Sequence, residues 1–172
     1  FMTRDDNPGR EAVRTAVIEY VDQQGMKSLG LTGFQNRYAL AMRRDRAEEL
    51  GIDSIEDLIS IASTLSAAGD LEFFGRPEWI RLRDLYNIDF ADKLTFDPSL
   101  MYTAVAENQV DVIAAYTTDG RVAAYDLLIL EDPRNSLLPY DAMLIASTRA
   151  AAQPQFRQAL AIIENGISDE LM

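Results

Sequence analysis

Three tyrosines of this chain stand where apolar sequence gives way to polar sequence. Tyr116 is the clearest, because it ends the predicted strand that begins at Val110 and a Thr-Thr-Asp-Gly turn follows it at once. In an open α/β sheet, ligands bind in the crevice where such a strand runs into a helix. Tyr38 and Tyr140 lie at similar breaks. An aromatic ring at such a junction faces a ligand more often than one buried in the middle of a strand, so these residues suggest a binding site, provided that the rings lie together.

Taken singly, a tyrosine at a strand end most often packs in the core or at its rim. Position alone therefore leaves core packing and ligand contact both open for the three rings. The remaining tyrosines keep the structural interpretation, since they fall within predicted helices: Tyr20, Tyr86, Tyr102 and Tyr125. The one tryptophan, Trp79, falls early in a helix and is expected to pack within its own domain.

The charge of the chain limits its partners. The 172 residues carry 28 Asp and Glu against 16 Lys and Arg, a formal net charge of −12. Phosphate binding needs clustered Lys and Arg, so this excess of acid argues against a nucleic-acid partner and against an anionic membrane surface. No apolar run reaches 18 residues, so direct membrane insertion is not expected. The negative charge favours long-range capture of cations.

The chain has neither Cys nor His. It therefore lacks a thiolate nucleophile, the usual proton shuttle and the commonest metal ligand, and we expect no metal or cofactor and no enzyme. Adjacent acidic pairs occur at 48–49, 56–57 and 131–132. Acid–base catalysis needs carboxylates that converge in a cleft, so solvated faces and loop capping explain these pairs better.

Strands and helices alternate in the elements that must position the tyrosines. Strands are predicted at 38–42, 71–74, 93–96, 110–116, 127–130 and 142–146, and helices at 8–24, 43–50, 53–65, 77–86, 98–107, 120–125 and 154–165. Asn7 and Pro8 are expected to begin the first helix, and Asp53 with Glu56 to form a capping box. The alternation predicts an α/β fold with a mostly parallel sheet.

Seven motifs in a fixed order resemble one known family. They are Gly33-Phe-Gln-Asn-Arg-Tyr-Ala-Leu-Ala-Met42, Phe73-Phe-Gly-Arg76, Phe96-Asp-Pro-Ser-Leu-Met-Tyr102, Gln109-Val-Asp-Val-Ile113, Ala115-Tyr-Thr-Thr-Asp-Gly-Arg121, Leu130-Glu-Asp132 and Pro139-Tyr-Asp-Ala142. From about residue 33 to residue 146, the chain resembles the substrate-binding proteins of ABC importers for glycine betaine, carnitine, choline and related compatible solutes. The ordered set is specific, whereas any one motif alone is weak.

The resemblance implies a periplasmic-binding-protein-like clamshell, in which two α/β lobes close on a ligand and then dock on an ABC permease. Residues 1–35 would be a helix and connector of lobe 1, residues 36–140 lobe 2, and residues 141–172 the return segment to lobe 1. Most of lobe 1 would lie outside this chain, which we expect to be a piece of a longer protein. The expected location is extracytoplasmic, either periplasmic or tethered to the outer face of the cytoplasmic membrane.

The resemblance also implies roles for four residues. Tyr38, Tyr116 and Tyr140 would be members of a box around a quaternary ammonium group, and Arg76 would bind the ligand carboxylate. The physical chemistry agrees, because a trimethylammonium group has no N–H and ring faces attract it by about 0.5–2 kcal/mol each. The planar fork of Arg matches a carboxylate.

Five neighbours of these residues could act beside them. Four of the five have two possible roles, and the fifth has a supporting role only. Asp119 is most simply a helix cap, and Thr117 and Thr118 are turn formers, with a hydrogen bond to a tyrosine or to the ligand as the alternative. Asp141 would either stabilise the hinge or meet the cation. Asn36 belongs to the motif of Tyr38 and is expected to support it.

The chain departs from the family pattern at two places. Gln35-Asn-Arg-Tyr38 stands where the family often has Asn-Asn-Thr-Tyr, and Pro77-Glu-Trp79 follows Arg76 where the family often has Asp-Gly. Arg37 adds a cation beside the expected box. The alternative function is therefore a binding protein of the same fold for an amino acid or another small cationic ligand, with a carboxylate-based enzyme as a distant third.

Overall fold

The computed structural model describes residues 9–172. Asn7 and Pro8, predicted to begin the first helix, lie outside the described residues. The chain divides into two compact units, one formed by residues 9–36 together with Pro139–Met172 and the other by Arg37–Leu138. The assignment of the three sequence segments to lobes of a clamshell stays a prediction.

The elements alternate along the chain much as the sequence predicts. The strands are β1 Met26–Gln35, β2 Tyr38–Arg43, β3 Ser66–Gly69, β4 Asp92–Thr95, β5 Val112–Tyr116, β6 Leu127–Ile129 and β7 Asp141–Ser147. The α-helices are α1 Arg10–Gln23, α2 Arg44–Leu50, α3 Ile55–Leu58, α4 Pro77–Tyr86, α5 Pro98–Ala106, α6 Arg121–Ala124, α7 Thr148–Ala151 and α8 Pro154–Leu160. Short 3₁₀ turns cover Ala62–Thr64, Phe73–Gly75 and Asp169–Leu171.

The unit Arg37–Leu138 is built on a five-stranded sheet of order β4-β3-β5-β2-β6. Strand β3 pairs in parallel with β4 and β5, whereas β2 pairs antiparallel with β5 and β6. Only β2 therefore runs against the common direction of the other four strands. The mixed, mostly parallel sheet that the sequence predicts is confirmed.

Apolar residues cover both faces of this sheet. Along β2, Leu40 and Met42 belong to one buried cluster, whereas Ala41, which points the other way, belongs to the second. The same alternation holds in β5, where Ala114 lies with the first cluster and Ile113 with the second. A sheet buried on both faces needs continuous apolar strands, which explains why the sequences of β2 and β5 are recognisable. Tyr38 and Tyr116 both fall on the face of the first cluster.

The prediction of a strand at 71–74 is wrong. The strand is Ser66–Gly69, and a 3₁₀ turn at Phe73–Gly75 follows it. A Ser-Ala-Ala-Gly strand lacks the β-branched and aromatic residues by which strands are recognised. Its glycine has a packing role, since a Cβ on Gly69 would lie 2.7 Å from the Cβ of Phe73.

The helix predicted at 53–65 is also wrong in extent and in its cap. It is cut to Ile55–Leu58 and a 3₁₀ turn at Ala62–Thr64. The capping box is formed by Ser54 and Asp57, whose carboxylate accepts from the Ser54 N–H at 2.9 Å. Glu56, the predicted partner in the box, instead accepts from Arg134 at 2.7 Å.

The other unit contains an antiparallel pair, β1 with β7, together with α1, α7 and α8. The sequence missed β1 and α7, and its last predicted helix ends at Leu160 rather than at residue 165. Gly33 has a φ of 116°, and a Cβ there would lie 2.6 Å from the carbonyl oxygen of Ile167. The pairing of β1 with β7 also contains two register shifts, between Ser28 and Leu31 and between Leu31 and Gln35. Glycines and register shifts interrupt the alternating pattern of a strand, which explains why β1 was not predicted. Within residues 9–172, no helix is both long and apolar enough to cross a bilayer.

Candidate functional site

Tyr38 and Tyr116 are brought together by strand register. They are the first residue of β2 and the last residue of β5, and they lie directly opposite each other in the antiparallel pairing. Their ring centroids are 4.9 Å apart, with the planes tilted by 33°. Directly opposed residues of an antiparallel pair have neighbouring side chains on one face. The two rings therefore form one pair at the ends of two interior strands of the sheet.

A carboxylate that the sequence did not single out joins the two phenols. Asp70 is the first residue after β3, and its Oδ2 accepts from the hydroxyl of Tyr38 at 2.5 Å and from that of Tyr116 at 2.7 Å. The two phenol oxygens are 3.1 Å apart. Its Oδ1 accepts from the backbone N–H groups of Glu72 and Phe73, each at 2.9 Å. The carboxylate thus closes the turn after β3 and fixes both rings.

This arrangement keeps Asp70 charged and the phenols neutral. Only 8% of Asp70 is exposed. Burial raises the pKa of a carboxyl group, but the hydrogen bonds from Tyr38, Tyr116 and the two backbone N–H groups outweigh it and hold the Asp70 pKa below its usual value. Burial, followed by the hydrogen bond to Asp70, raises the pKa of Tyr38, and burial raises the pKa of Tyr116. At neutral pH the site therefore contains one anion and two protonated phenols.

An aromatic cluster supports the pair from the core side. The ring of Phe73 lies 5.1 Å from that of Tyr38 and 5.9 Å from that of Trp79. Trp79 stacks on Phe90 at 5.8 Å and is buried, which confirms its predicted place within its own domain. Tyr38 is buried as well, with 7% exposed, whereas Tyr116 is only partly buried. Tyr116 is thus the ring that reaches the surface of this unit.

Arg76 lies beside the pair, at the N-cap of α4. Its guanidinium carbon is 5.7 Å from the centroid of the Tyr38 ring. Its Nη1 donates to Glu72 at 2.7 Å, its Nε lies 3.5 Å from the Glu78 carboxylate, and 35% of its side chain is exposed. The structure therefore brings Arg76 to the tyrosines, as the sequence predicts, but in contact with two carboxylates of its own segment.

The turn after Tyr116 anchors the strand ends. Thr117 donates its N–H to the Arg37 carbonyl at 3.0 Å and accepts the Arg37 N–H on its hydroxyl at 3.2 Å. Asp119 accepts the backbone N–H of Arg121 at 2.9 Å and forms an ion pair with its side chain. The Arg121 contact lowers the pKa of Asp119. The predicted turn role of Thr117 is confirmed, and Thr118 is a half-buried member of the same turn. The predicted N-cap role of Asp119 is wrong, because the N-cap of α6 is Gly120 and Asp119 precedes it.

A further tyrosine fixes Tyr116 through its backbone. The Tyr102 hydroxyl accepts the Tyr116 N–H at 2.9 Å, and the Arg121 guanidinium lies 4.1 Å from the centroid of the Tyr102 ring. Tyr102 is buried, as predicted, and burial raises its pKa to about 12. Tyr102 therefore supports the position of Tyr116 from within the core.

The other predicted site residues belong to the unit formed by residues 9–36 and Pro139–Met172. The Tyr140 carbonyl accepts the Asn36 N–H at 3.1 Å, and 38% of Tyr140 is exposed. Asp141, the first residue of β7, accepts two side-chain N–H groups of Arg10 at 2.6 to 3.1 Å. Asp141 is thus an ion-pair partner of α1. That Tyr140, Asn36 and Asp141 share one site with the tyrosine pair stays a prediction.

Nothing in the described side chains suggests a metal centre. Within residues 9–172, no three His, Cys, Asp or Glu side chains gather closely enough to hold a metal ion. The chemistry that Tyr38, Tyr116, Asp70 and Arg76 offer is ring faces, one buried anion and one partly exposed cation.

Known proteins share this fold and much of this sequence. A carnitine transport binding protein, OpuCC of Listeria monocytogenes, is 29% identical over 172 residues, which are 98% of this chain and 55% of the relative. A glycine-betaine-binding protein of Pseudomonas aeruginosa is 36% identical over 138 residues, which are 73% of this chain and 44% of the relative. The chain thus spans about half the length of these relatives.

The fold of this chain also matches that of a solved structure. The crystal structure of a glycine betaine/carnitine/choline ABC transporter matches 99% of this chain and 63% of its own chain, at a TM-score of 0.84 and 24% identity. This match confirms the periplasmic-binding-protein-like fold. The relatives are transport proteins, in agreement with the expectation of a binding module rather than an enzyme. The family described as the substrate-binding domain of ABC-type glycine betaine transport systems matches residues 11–172, and the chain belongs to this family.

Proposed function

We propose that this chain is part of the substrate-binding component of an ABC importer for quaternary-ammonium compatible solutes such as glycine betaine, carnitine or choline. One observation carries the proposal: Tyr38 and Tyr116 form a ring pair with a shared buried carboxylate, and this pair stands in a chain of the glycine betaine family.

The chemistry of the ligand fits such a pair. A trimethylammonium group offers no N–H, so hydrogen bonds to it cannot select it. Ring faces attract it by cation–π interaction, and their apolar surface covers the methyl groups. Tyr116 is the partly exposed ring of the pair and is the first candidate for contact. Tyr140 would add a ring from the other unit.

Arg76 is the candidate for the carboxylate of betaine or carnitine. The planar guanidinium fork matches a carboxylate, and part of the side chain is exposed. Glu72 already accepts from this guanidinium at 2.7 Å. A ligand carboxylate would therefore compete with Glu72, whose side chain is 74% exposed and easily displaced.

The partner would be the permease of the importer, reached outside the cytoplasm. A protein of this family would close its two lobes on the ligand, and the closed form would dock on the permease. The negative charge of the chain agrees with a cationic solute and not with nucleic acid.

Calorimetric titration of the complete binding protein tests the proposal. Glycine betaine, carnitine and choline should bind with dissociation constants at least tenfold below those of arginine, glutamine and histidine. Preferential binding of an amino acid would instead support the alternative of a same-fold receptor for another ligand. Turnover of any of these compounds would contradict a pure binding role.

A further inference from the structure

We infer that Asp70 is a positioning residue whose negative charge makes the Tyr38–Tyr116 pair selective for a positively charged ligand over a neutral one of the same shape. The inference rests on the proposed function. It assigns a role to a residue that lies behind the rings and contributes no ring of its own.

The charge of Asp70 is not cancelled by an ion pair with a neighbouring cation. A buried carboxylate is normally paired with a cation. Within residues 9–172, the hydrogen-bond donors to Asp70 are two phenols and two backbone N–H groups, all neutral, and no Lys or Arg forms an ion pair with it. Its negative field therefore persists at the tyrosine pair.

The two rings are hydrogen-bonded directly to this charge. Both phenols donate to one oxygen, at 2.5 and 2.7 Å, which are lengths of charge-assisted hydrogen bonds. The negative charge of Asp70 therefore lies one hydrogen bond from each phenol, close enough to attract a cation that is held against the ring faces.

The segment around the pair has more acidic than basic side chains. Arg76 is the nearest cation, with its guanidinium carbon 5.7 Å from the Tyr38 ring centroid. Two carboxylates, Glu72 and Glu78, contact that guanidinium. With Asp70 included, three carboxylates face one cation in this segment. The segment therefore presents net negative charge, as a site for a cationic head group requires.

The test compares ligands that differ only in charge. In 3,3-dimethylbutan-1-ol, a carbon replaces the nitrogen of choline, and in 3,3-dimethylbutanoate a carbon replaces that of glycine betaine. Dissociation constants are measured for each compound with the complete binding protein and with Asp70→Asn, which keeps the size of the side chain and removes its charge. We expect Asp70→Asn to weaken choline and glycine betaine at least tenfold and the neutral-headed analogues less than twofold.

The matched control is the double variant Tyr38→Phe with Tyr116→Phe. It keeps both rings and the carboxylate but removes both phenol donors, so a role limited to hydrogen-bonded ring placement would make it as damaging as Asp70→Asn. We expect it to bind choline within threefold of the wild-type protein. This comparison decides the question even where a neutral analogue binds too weakly to measure.

Each result has one meaning. Equal losses for charged and neutral ligands in Asp70→Asn, or a tenfold loss of choline in the double variant, would overturn the role of the Asp70 charge while leaving the proposed function intact. A wild-type protein that binds neither choline nor glycine betaine would remove the proposed function itself. Circular dichroism monitors folding, and if Asp70→Asn does not fold, the double variant alone supports or overturns the inference.

Discussion

The phenol oxygens of Tyr38 and Tyr116 lie 3.1 Å apart, because the two residues are directly opposed in the pairing of β2 with β5. Both hydroxyls donate to a third group, Asp70. The pair is therefore fixed twice, once by backbone register and once by side-chain hydrogen bonds. Because the backbone register holds the Tyr116 ring even without its hydroxyl, substitutions can separate the contribution of the ring to ligand binding from that of the hydroxyl.

The first prediction separates these two contributions. Tyr116→Ala in the complete binding protein should weaken binding of glycine betaine at least tenfold, because it removes a ring face. Tyr116→Phe should stay within about threefold, since the ring remains. Calorimetric titration measures both. An unchanged dissociation constant in Tyr116→Ala would remove this residue from the site.

The second prediction concerns the competition for Arg76. Glu72→Gln removes an exposed ion pair worth a few tenths of a kcal/mol, so the affinity for glycine betaine should rise about twofold. Choline has no carboxylate and should gain nothing. The matched control is Glu49→Gln, which breaks a similar ion pair, with Arg46, outside the site. A parallel gain for choline would show that Arg76 does not bind the ligand carboxylate.

The third prediction is a pH dependence of stability. The pKa of Asp70 is depressed in the folded protein, so its contribution is present above the ordinary pKa of about 3.9 and is lost as the pH falls through the folded value. Asp70→Asn should therefore lower the Tm at pH 7, and the difference from wild type should shrink as the pH drops below about 4. Thermal denaturation at a series of pH values checks this. A constant difference across the series would contradict a charged Asp70.

The fourth prediction tests the support of Tyr116 from behind. Tyr102→Phe leaves the Tyr116 N–H without its acceptor, and an unsatisfied buried N–H costs about 1–3 kcal/mol. The free energy of unfolding should fall by that amount in chemical denaturation. Tyr125→Phe serves as the control, since Tyr125 is exposed and should change stability by less than about 0.5 kcal/mol. Equal effects of the two changes would argue against the Tyr102 bond.

The fifth prediction concerns the chain by itself. The 172-residue chain should bind glycine betaine and choline weakly or not at all, because the chain spans only 55% of a carnitine-binding relative and the expected box needs groups from the remainder. Titration of the isolated chain beside the complete protein checks this. Low-micromolar affinity of the chain alone would show that it carries a sufficient site.

Much of this fold could be predicted from local pattern. The apolar runs of β2 and β5 and the prolines that begin α4 and α5 are local signals, and those elements lie within one or two residues of their predicted bounds. Strand β3 carries no such signal, because Ser66–Gly69 is made of small residues whose suitability depends on close packing against Phe73.

The candidate site was only partly predictable for the same reason. Family order pointed to Tyr38, Arg76 and Tyr116, and the structure places these three together. Asp70 was missed because the strand was predicted at 71–74, which puts Asp70 before the start of a strand rather than directly after the end of one. Its hydrogen-bond partners are the tyrosines of β2 and β5, which are distant in sequence. A local sequence pattern cannot predict such contacts.

Asp70 closes its own turn through the N–H groups of Glu72 and Phe73 with one oxygen and holds two phenols with the other. In our inference, the same residue therefore stabilises the turn after β3 and attracts the positive charge of the ligand. Evolution toward a neutral solute could not simply neutralise position 70, since the turn and its neighbouring strand would suffer at once. Within this lineage, changes of solute should instead accumulate around the ligand's far end, at positions such as Arg76, while the cationic head group is inherited.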